Sequence, residues 1–521
     1  MTNGKEDSDS LKAKVAKGSV WAALEQVCVQ GLNFGMGIVL ARLLSPNDYG
    51  TVALVTIFIS IAQVLVGSGL GQALVQKKEI DALDVDSVFY VSMVLSLVMY
   101  IALFAGAPLV ARYYHVDELT FILRVLALNL IFYAFNSVQN AALFREMKFN
   151  LTFRISLATT LVSAAVGISM AYCGFGVWAL VWSSVLGTVA GVLARAHYVA
   201  WRPHWQFSME RVRPLFQYGS RLMANSLVGA IFGNVYGLVI GRFYTRADLA
   251  FVNKGNNIPT LLLSNINSSL IEVSLPALVR LQDDRDRLVS AMRRLLSMGM
   301  FVVLPVMTYL AVAAPKMIVF LYGEKWAASI PYMQLACLMM VWGPIGAVNQ
   351  QGLLAVGRSG TLLKLGIVRN VVSLGILAIC LTQSVMTWVV VMTFLFGPFS
   401  ALIDAWCGSR YLGYRVRGQL VDIAPVAGVC VLEALAALAV DLLPWGNGTL
   451  SFGLCLAVQG LVAVAVYLVA ASAFRLRAVC ELAMLMPQDW LMHLPDRIRL
   501  QVERLEVSTA VSAESRKESG R

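Results

Sequence analysis

Charge is scarce in this chain. Asp, Glu, Lys and Arg make up 14% of its 521 residues, where soluble proteins carry about 25%. Long polar connections are missing too, so nothing between the apolar segments is large enough to fold as a separate domain. No GxxxxGK[ST] loop occurs, which excludes ATP binding of the P-loop kind. No HExxH string and no Ser/His/Asp signature marks a hydrolase. The eight Cys (28, 173, 337, 380, 407, 430, 455 and 480) form no CxxC pair. They read as small apolar packing residues, not as a metal or redox site. A lone DxD string, Asp84-Val85-Asp86, has the form used by metal-dependent glycosyltransferases. It stands in a short acidic connection before a helix, where negative charge favours the helix N-terminus. Residues 1–17 are polar and rich in Lys, with no small-residue cleavage site behind a short apolar core. No cleavable signal sequence is expected there.

What the chain has is apolar length. Hydrophobic residues make up 58% of it. Fourteen runs of roughly 20 residues can each span a bilayer as a helix. They centre near residues 31, 62, 98, 130, 161, 186, 228, 265, 308, 342, 372, 396, 432 and 461, and the eighth reads as the least apolar. The expected fold is an all-α polytopic membrane protein with about 14 transmembrane helices. With the N-terminus in the cytoplasm, the tails and even-numbered connections hold roughly 31 of the 41 Lys and Arg. Both termini are therefore expected in the cytoplasm. The net charge of +11 is this orientation bias and needs no nucleic-acid partner; anionic membrane lipid suits it.

The chain also repeats itself. Residues 41–50 read ARLLSPNDYG and residues 241–250 read GRFYTRADLA, so Arg42 pairs with Arg242 and Asp48 with Asp248. Gly18-Ser19 answers Gly219-Ser220, and Ala107-Pro108 answers Ala314-Pro315, so the offset drifts from about 200 to about 210. Each unit of the repeat holds six apolar segments. Two like halves in a bilayer are the usual build of a secondary transporter, with the substrate site between them. The expected divisions are a cytoplasmic tail (1–17), an N-lobe of helices 1–6 (18–200), a cytoplasmic linker (201–214) and a C-lobe of helices 7–12 (215–408). Two extra C-terminal helices (409–473) have no partner in the repeat, and an amphipathic and disordered tail (474–521) follows. In the ARLLSPNDYG string, Pro46 and Asn47 read as residues of a tight turn.

Several apolar segments carry a polar stripe at helical spacing. The first has Gln26, Gln30 and Asn33; the second has Thr56, Ser60, Gln63 and Gly67; the fourth has Asn129, Tyr133, Asn136 and Asn140. The seventh has Arg221 and Asn225, and the eighth has Asn253, Asn256, Asn257, Thr260, Ser264 and Asn267 on one face. Such residues either bond neighbouring helices together or line a water-filled cavity. Arg124, Arg221, Lys254 and Arg369, with Glu25, Glu272, Asp404 and Glu433, lie in or near the spans. Each costs about 2.5–3.5 kcal/mol at a helix centre on insertion scales, so it faces a cavity, a partner or a helix end. Arg154, Lys364 and Asp404 read as snorkelling at helix ends. A cationic cavity suits a phosphate-bearing ligand. Glu25 and Glu272 either carry a coupling ion, proton or sodium, or neutralise the cations. No cofactor is indicated.

ARLLSPNDYG, GLGQALVQ (69–76), GFGVWALVW (174–182) and LYGEKWAASIP (321–331) together resemble the Wzx-type polysaccharide flippases. These form the polysaccharide-transporter branch of the multidrug/oligosaccharidyl-lipid/polysaccharide exporter superfamily, and the pattern is most similar to the colanic-acid-like subgroup. The resemblance covers about residues 15–475. It implies two six-helix bundles plus two extra helices, a multi-pass place in the bacterial inner membrane, and no enzymatic activity. It implies transfer of an undecaprenyl-diphosphate-linked oligosaccharide for exopolysaccharide, capsule or O-antigen synthesis, by alternating access. Polysaccharide polymerase and chain-length machinery are the implied protein partners. The family has no strict catalytic signature, so no residue is carried over by motif. On this reading Arg124, Arg221 and Lys254 meet the diphosphate. Asn253, Asn256, Asn257, Asn267, Asn225, Gln30 and Asn33 meet sugars. Rival readings are a peptidoglycan-precursor flippase, a cation-coupled multidrug exporter, and, from another class, a membrane glycosyltransferase or polysaccharide polymerase.

Overall fold

The structure is a computed structural model. It describes residues 3–67, 71, 73–74, 77, 80–145, 148–199, 201–446, 448–474, 476 and 478–479. Among these the regular elements are all helical: α1 (Asn3–Leu43), α2 (Pro46–Gly67), α3 (Ala82–Tyr114), α4 (Leu119–Arg145), α5 (Phe149–Tyr172), α6 (Val177–Tyr198), α7 (Met209–Phe243) and α8 (Arg246–Val279). Then come α9 (Arg285–Tyr322), a 3₁₀ turn (Glu324–Ser329), α10 (Ile330–Met340), α11 (Gly343–Ala355) and α12 (Ser359–Cys380). The last are α13 (Val385–Val391), a π-helical turn (Met392–Phe396), α14 (Gly397–Tyr411), α15 (Val416–Asp441) and α16 (Thr449–Ala473). Among the described residues, fourteen stretches are long and apolar enough to cross a membrane, and every expected centre falls inside one. The first span is slightly less apolar than the eighth in its most apolar stretch, which corrects the expected order.

Twelve spans are single helices; the tenth and twelfth are broken. Each break is followed by a proline, Pro331 in α10, Pro344 in α11 and Pro398 in α14, in the first helical turn. Proline lacks the N–H that a helix interior needs, and that turn is where it is tolerated.

The repeated string turns out to be a repeated cap. Ser45 N and Oγ both donate to Asp48 Oδ2, at 2.9 and 2.7 Å, and Asp48 N donates back to Ser45 Oγ at 3.3 Å. Thr245 and Asp248 do the same at 3.1, 2.7 and 3.1 Å. This is the S/T-x-x-acid capping arrangement, which satisfies the free N–H groups of a helix start. Pro46 and Asn47 are thus the first residues of α2, not residues of a free turn. The capping bonds hold them in helical conformation.

Contacts divide the chain into two units. Unit 1 is Met1–Phe251 with Leu321–Lys325, and unit 2 is Val252–Phe320 with Trp326–Arg521. Within unit 1, α5 packs on α6 and α1, and α3 packs on α4. In unit 2, α11 packs on α14 around buried Met292, Leu296, Leu353 and Leu412. Helices α15 and α16 pair with each other. They are tied to α9 by the Lys316–Asp441 ion pair at 2.8 Å and by Tyr467 Oη donating to the Phe301 carbonyl at 2.8 Å.

The DxD string is a structural staple. Asp84 is the third residue of α3 and closes a capping box with Asp81. Asp86 accepts from Trp201 Nε1 at 2.9 Å and pairs with His204 at 3.3 Å. Arg211 reaches Asp81 at 3.2 Å. The linker between the two copies of the repeat is thereby pinned to the start of α3. The backbone N–H of Asp84, then Arg211, hold the Asp81 carboxyl below the usual carboxylate range.

Candidate functional site: two polar cavities

Each unit holds a cavity among its spans. That of unit 1 has a volume of about 340 Å³. Its walls come from spans 1, 2, 4, 5 and 6: Val29, Gln63, the Asn129–Tyr133–Asn136 stripe, Ser156 and Thr159, then Ser184, Thr188 and Arg195. That of unit 2 has a volume of about 370 Å³. Spans 8, 10, 11 and 12 wall it, with Asn267, Trp342, Gln350, Arg369, Phe396 and Asp404. Under the six-helix repeat, spans 2, 4, 5 and 6 correspond to 8, 10, 11 and 12. Both halves open the same place.

The chemistry of the two places differs. In unit 1 the cation is Arg195, on α6. Its Nη1 donates to Asn136 Oδ1 at 3.0 Å and to the Gly191 carbonyl at 3.5 Å. The buried Nε has no acceptor among the described residues. Glu25 lies within electrostatic reach of Arg195, but its Oε1 accepts from Ser156 Oγ at 2.6 Å. No ion pair links the two. Close packing puts the guanidinium here: a Cβ on Gly191 would stand 2.9 Å from Thr159 Oγ1 and 3.2 Å from Arg195 Nη1. Gly67 similarly leaves the room that the Tyr133 ring fills.

In unit 2 the cation is Arg369, on α12, and it is neutralised. Its Nη1 donates to Asp404 Oδ2 at 2.7 Å, and Gln350 Nε2 donates to the same oxygen at 3.3 Å. Asp404 is 1% exposed. Its expected snorkelling is therefore overturned: α14 runs on to Tyr411, which places Asp404 inside the helix and against Arg369. Arg154 and Lys364 are exposed. The π turn that ends at Phe396 shapes the rim of this cavity. Such turns recur at functional sites.

The residues picked from sequence lie as follows. Asn267 is in the unit 2 cavity, its Oδ1 buried without a partner among the described residues. Lys254 is 8% exposed, with its ammonium 5.5 Å from the centre of the Trp326 ring. Asn253 and Asn256 are half-buried, and Asn257 and Glu272 are exposed. Arg124 donates to the Phe104 carbonyl at 3.2 Å and covers the Phe104 ring, and neither cavity includes it. Gln30 is half-buried and Asn33 exposed. The side chains of Arg221 and Asn225 lie outside the described residues. Arg195 was not picked. It stands near the end of span 6 in a run, LARAHY, that reads as a basic cytoplasmic end. Its position about 210 residues before Asp404 was the available signal.

Among the described residues seven Cys stand outside any disulfide. No group of three or more His, Cys, Asp and Glu able to hold a metal ion occurs among the described residues.

Comparison with known proteins gives one family. The model of a family described as polysaccharide biosynthesis protein matches residues 39–331. The lipopolysaccharide biosynthesis protein WzxC of Escherichia coli K12 is 25% identical over 65% of this chain and 70% of its own length. The succinoglycan biosynthesis transport protein ExoT of Rhizobium meliloti is 27% identical over 63% of this chain and 67% of its own. The teichuronic acid biosynthesis protein TuaB of Bacillus subtilis is 23% identical over 67% and 73%. Among solved structures, an inward closed conformation of the lipid II flippase MurJ superposes with a TM-score of 0.70 at 13% identity, covering 87% of this chain and 98% of that one. An inward-facing multidrug resistance transporter of the MATE family gives 0.59 at 18% identity, over 73% and 93%. Both show the fold alone.

Proposed function

Because this chain belongs to the polysaccharide biosynthesis protein family, we propose that it is a flippase for lipid-linked oligosaccharides. It moves undecaprenyl-diphosphate-linked repeat units across the bacterial inner membrane by alternating access, and it is not an enzyme. The observation that carries this reading is the pair of polar cavities walled by corresponding spans of the repeat. A head group of sugars and diphosphate cannot cross about 30 Å of hydrocarbon unaided. Amides and hydroxyls in the spans replace the water it loses, and cations meet its charge. The lobes 18–200 and 215–408 are the bodies whose rocking exchanges access, with both termini cytoplasmic.

Arg124, Arg221 and Lys254 are the proposed diphosphate contacts. Asn253, Asn256, Asn257, Asn267, Asn225, Gln30 and Asn33 are the proposed sugar contacts. Glu25 and Glu272 either take up a coupling ion or balance charge. Polysaccharide polymerase and chain-length machinery are proposed partners on the biosynthetic route. The word transport in the name of ExoT supports the same direction. A multidrug exporter for cationic compounds suits the site less well, because the charged side chain lining the unit 1 cavity is a cation.

The test is reconstitution of the purified protein in sealed vesicles that carry a fluorescent undecaprenyl-diphosphate-linked tetrasaccharide. Flipping makes the inner-leaflet pool accessible to an impermeant glycosidase, beyond the rate in protein-free vesicles. Equal rates with and without protein, under proton and sodium gradients alike, refute the proposal.

A further inference from the structure

We infer that the unit 1 cavity is a subsite for an oxyanion carried by the glycolipid head group, with Arg195 as its ligand. The existence of the site stands on its own geometry; the identity of the ligand as a glycolipid rests on the flippase reading.

Three observations lead there. First, the guanidinium has donors to spare. A guanidinium has five N–H donors. Arg195 uses only Nη1, on Asn136 and the Gly191 carbonyl, and no acceptor among the described residues meets Nε or Nη2. Glu25 accepts from Ser156 and, although it lies within electrostatic reach of Arg195, makes no ion pair with it. A cation inside an apolar span is expensive unless something answers it. Second, the surroundings are built for a polar guest. Gln63, Asn129, Tyr133, Thr159 and Thr188 face the same space, and they offer donors and acceptors with no second charge. The volume of about 340 Å³ is that of a small-molecule site. Third, the same molecule supplies a control. The corresponding place in unit 2 also holds an arginine, but there Asp404 answers it at 2.7 Å. In unit 1 no carboxylate is bonded to the arginine, and Nε and Nη2 are left for a guest.

Two sources supply such an oxyanion: a phosphate of the lipid diphosphate, or the carboxylate of an acidic sugar. Both match the planar fork of a guanidinium.

Binding to the full-length protein in nanodiscs tests the assignment. Two probes are needed: an undecaprenyl-diphosphate-linked neutral tetrasaccharide, and the same lipid with one uronic acid in the tetrasaccharide. Two variants are compared with the unaltered chain. Arg195→Gln removes the charge. Asn136→Asp places a carboxylate on the partner of Nη1 and so copies the Arg369–Asp404 pair, which compensates the buried cation and keeps the fold. We expect both variants to weaken binding at least about tenfold, the loss of one charge-assisted hydrogen bond or more. Equal losses for the two lipids identify the diphosphate as the anion; loss for the acidic lipid alone identifies the uronate. Unchanged affinity for both lipids in folded Asn136→Asp protein overturns the inference. If the unaltered protein fails to flip either lipid yet shows Arg195-dependent binding, the flippase reading falls and the site stands. Flipping with no Arg195-dependent binding is the reverse.

Discussion

The cavities of the two units occupy the same place in a repeated set of helices and hold opposite electrostatic solutions. In unit 2 a buried carboxylate closes on Arg369. In unit 1 the residue about 210 positions before Asp404 is itself the arginine, and its closest partner is the neutral amide of Asn136. Two like halves thus supply a common scaffold, and a charge exchanged between neighbouring helices separates a locked cavity from an open one. An ion pair in a low-dielectric interior is rarely a net gain in stability, but breaking one half of it is costly. The difference teaches that a cation in a span is not a ligand site until its counter-ion has been accounted for.

That contrast makes graded predictions for thermal and denaturant unfolding of the purified protein. The largest effect is expected for Asp404→Leu, which leaves Arg369 buried and unanswered and costs about 3–5 kcal/mol. Combining it with Arg369→Met returns most of that loss, because the replacement pair is apolar and of similar volume. A double variant no better than Asp404→Leu breaks the pairing account. Gly191→Ala comes next, at about 1–3 kcal/mol, since its methyl crowds Thr159 and Arg195 where α5 and α6 meet. The smallest effect is expected for Arg195→Met, about 1–2 kcal/mol, because its hydrogen bonds go to neutral acceptors and no ion-paired carboxylate is left behind. A loss as large as that of Asp404→Leu would show that Arg195 is a structural cation after all.

Much of the architecture was legible in the sequence because bilayer length and backbone satisfaction leave little choice. All fourteen spans appear where apolar runs centre, and the repeat was visible in two ten-residue strings. Its meaning was not: Pro46 and Asn47 read as turn residues, while Ser45–Asp48 and Thr245–Asp248 proved to be helix caps, since a cap and a turn use the same residue types. The site was legible in part. The Asn129–Tyr133–Asn136 stripe does face a cavity. Asp404 was misjudged because its position along a span suggested a helix end, and Arg195 drew no reading from the sequence. What decides is lateral packing, the close approach at Gly191 in one unit and α14 continuing past Asp404 in the other.

The account rests most on the spare donors of Arg195 serving translocation, and one measurement reaches it directly. The flipping rate of an undecaprenyl-diphosphate-linked tetrasaccharide bearing a uronic acid is compared in vesicles holding the unaltered chain, vesicles holding folded Asn136→Asp protein, and protein-free vesicles. The account predicts rapid flipping in the first and a rate near the protein-free background in the second. A rate for Asn136→Asp equal to that of the unaltered chain would contradict it.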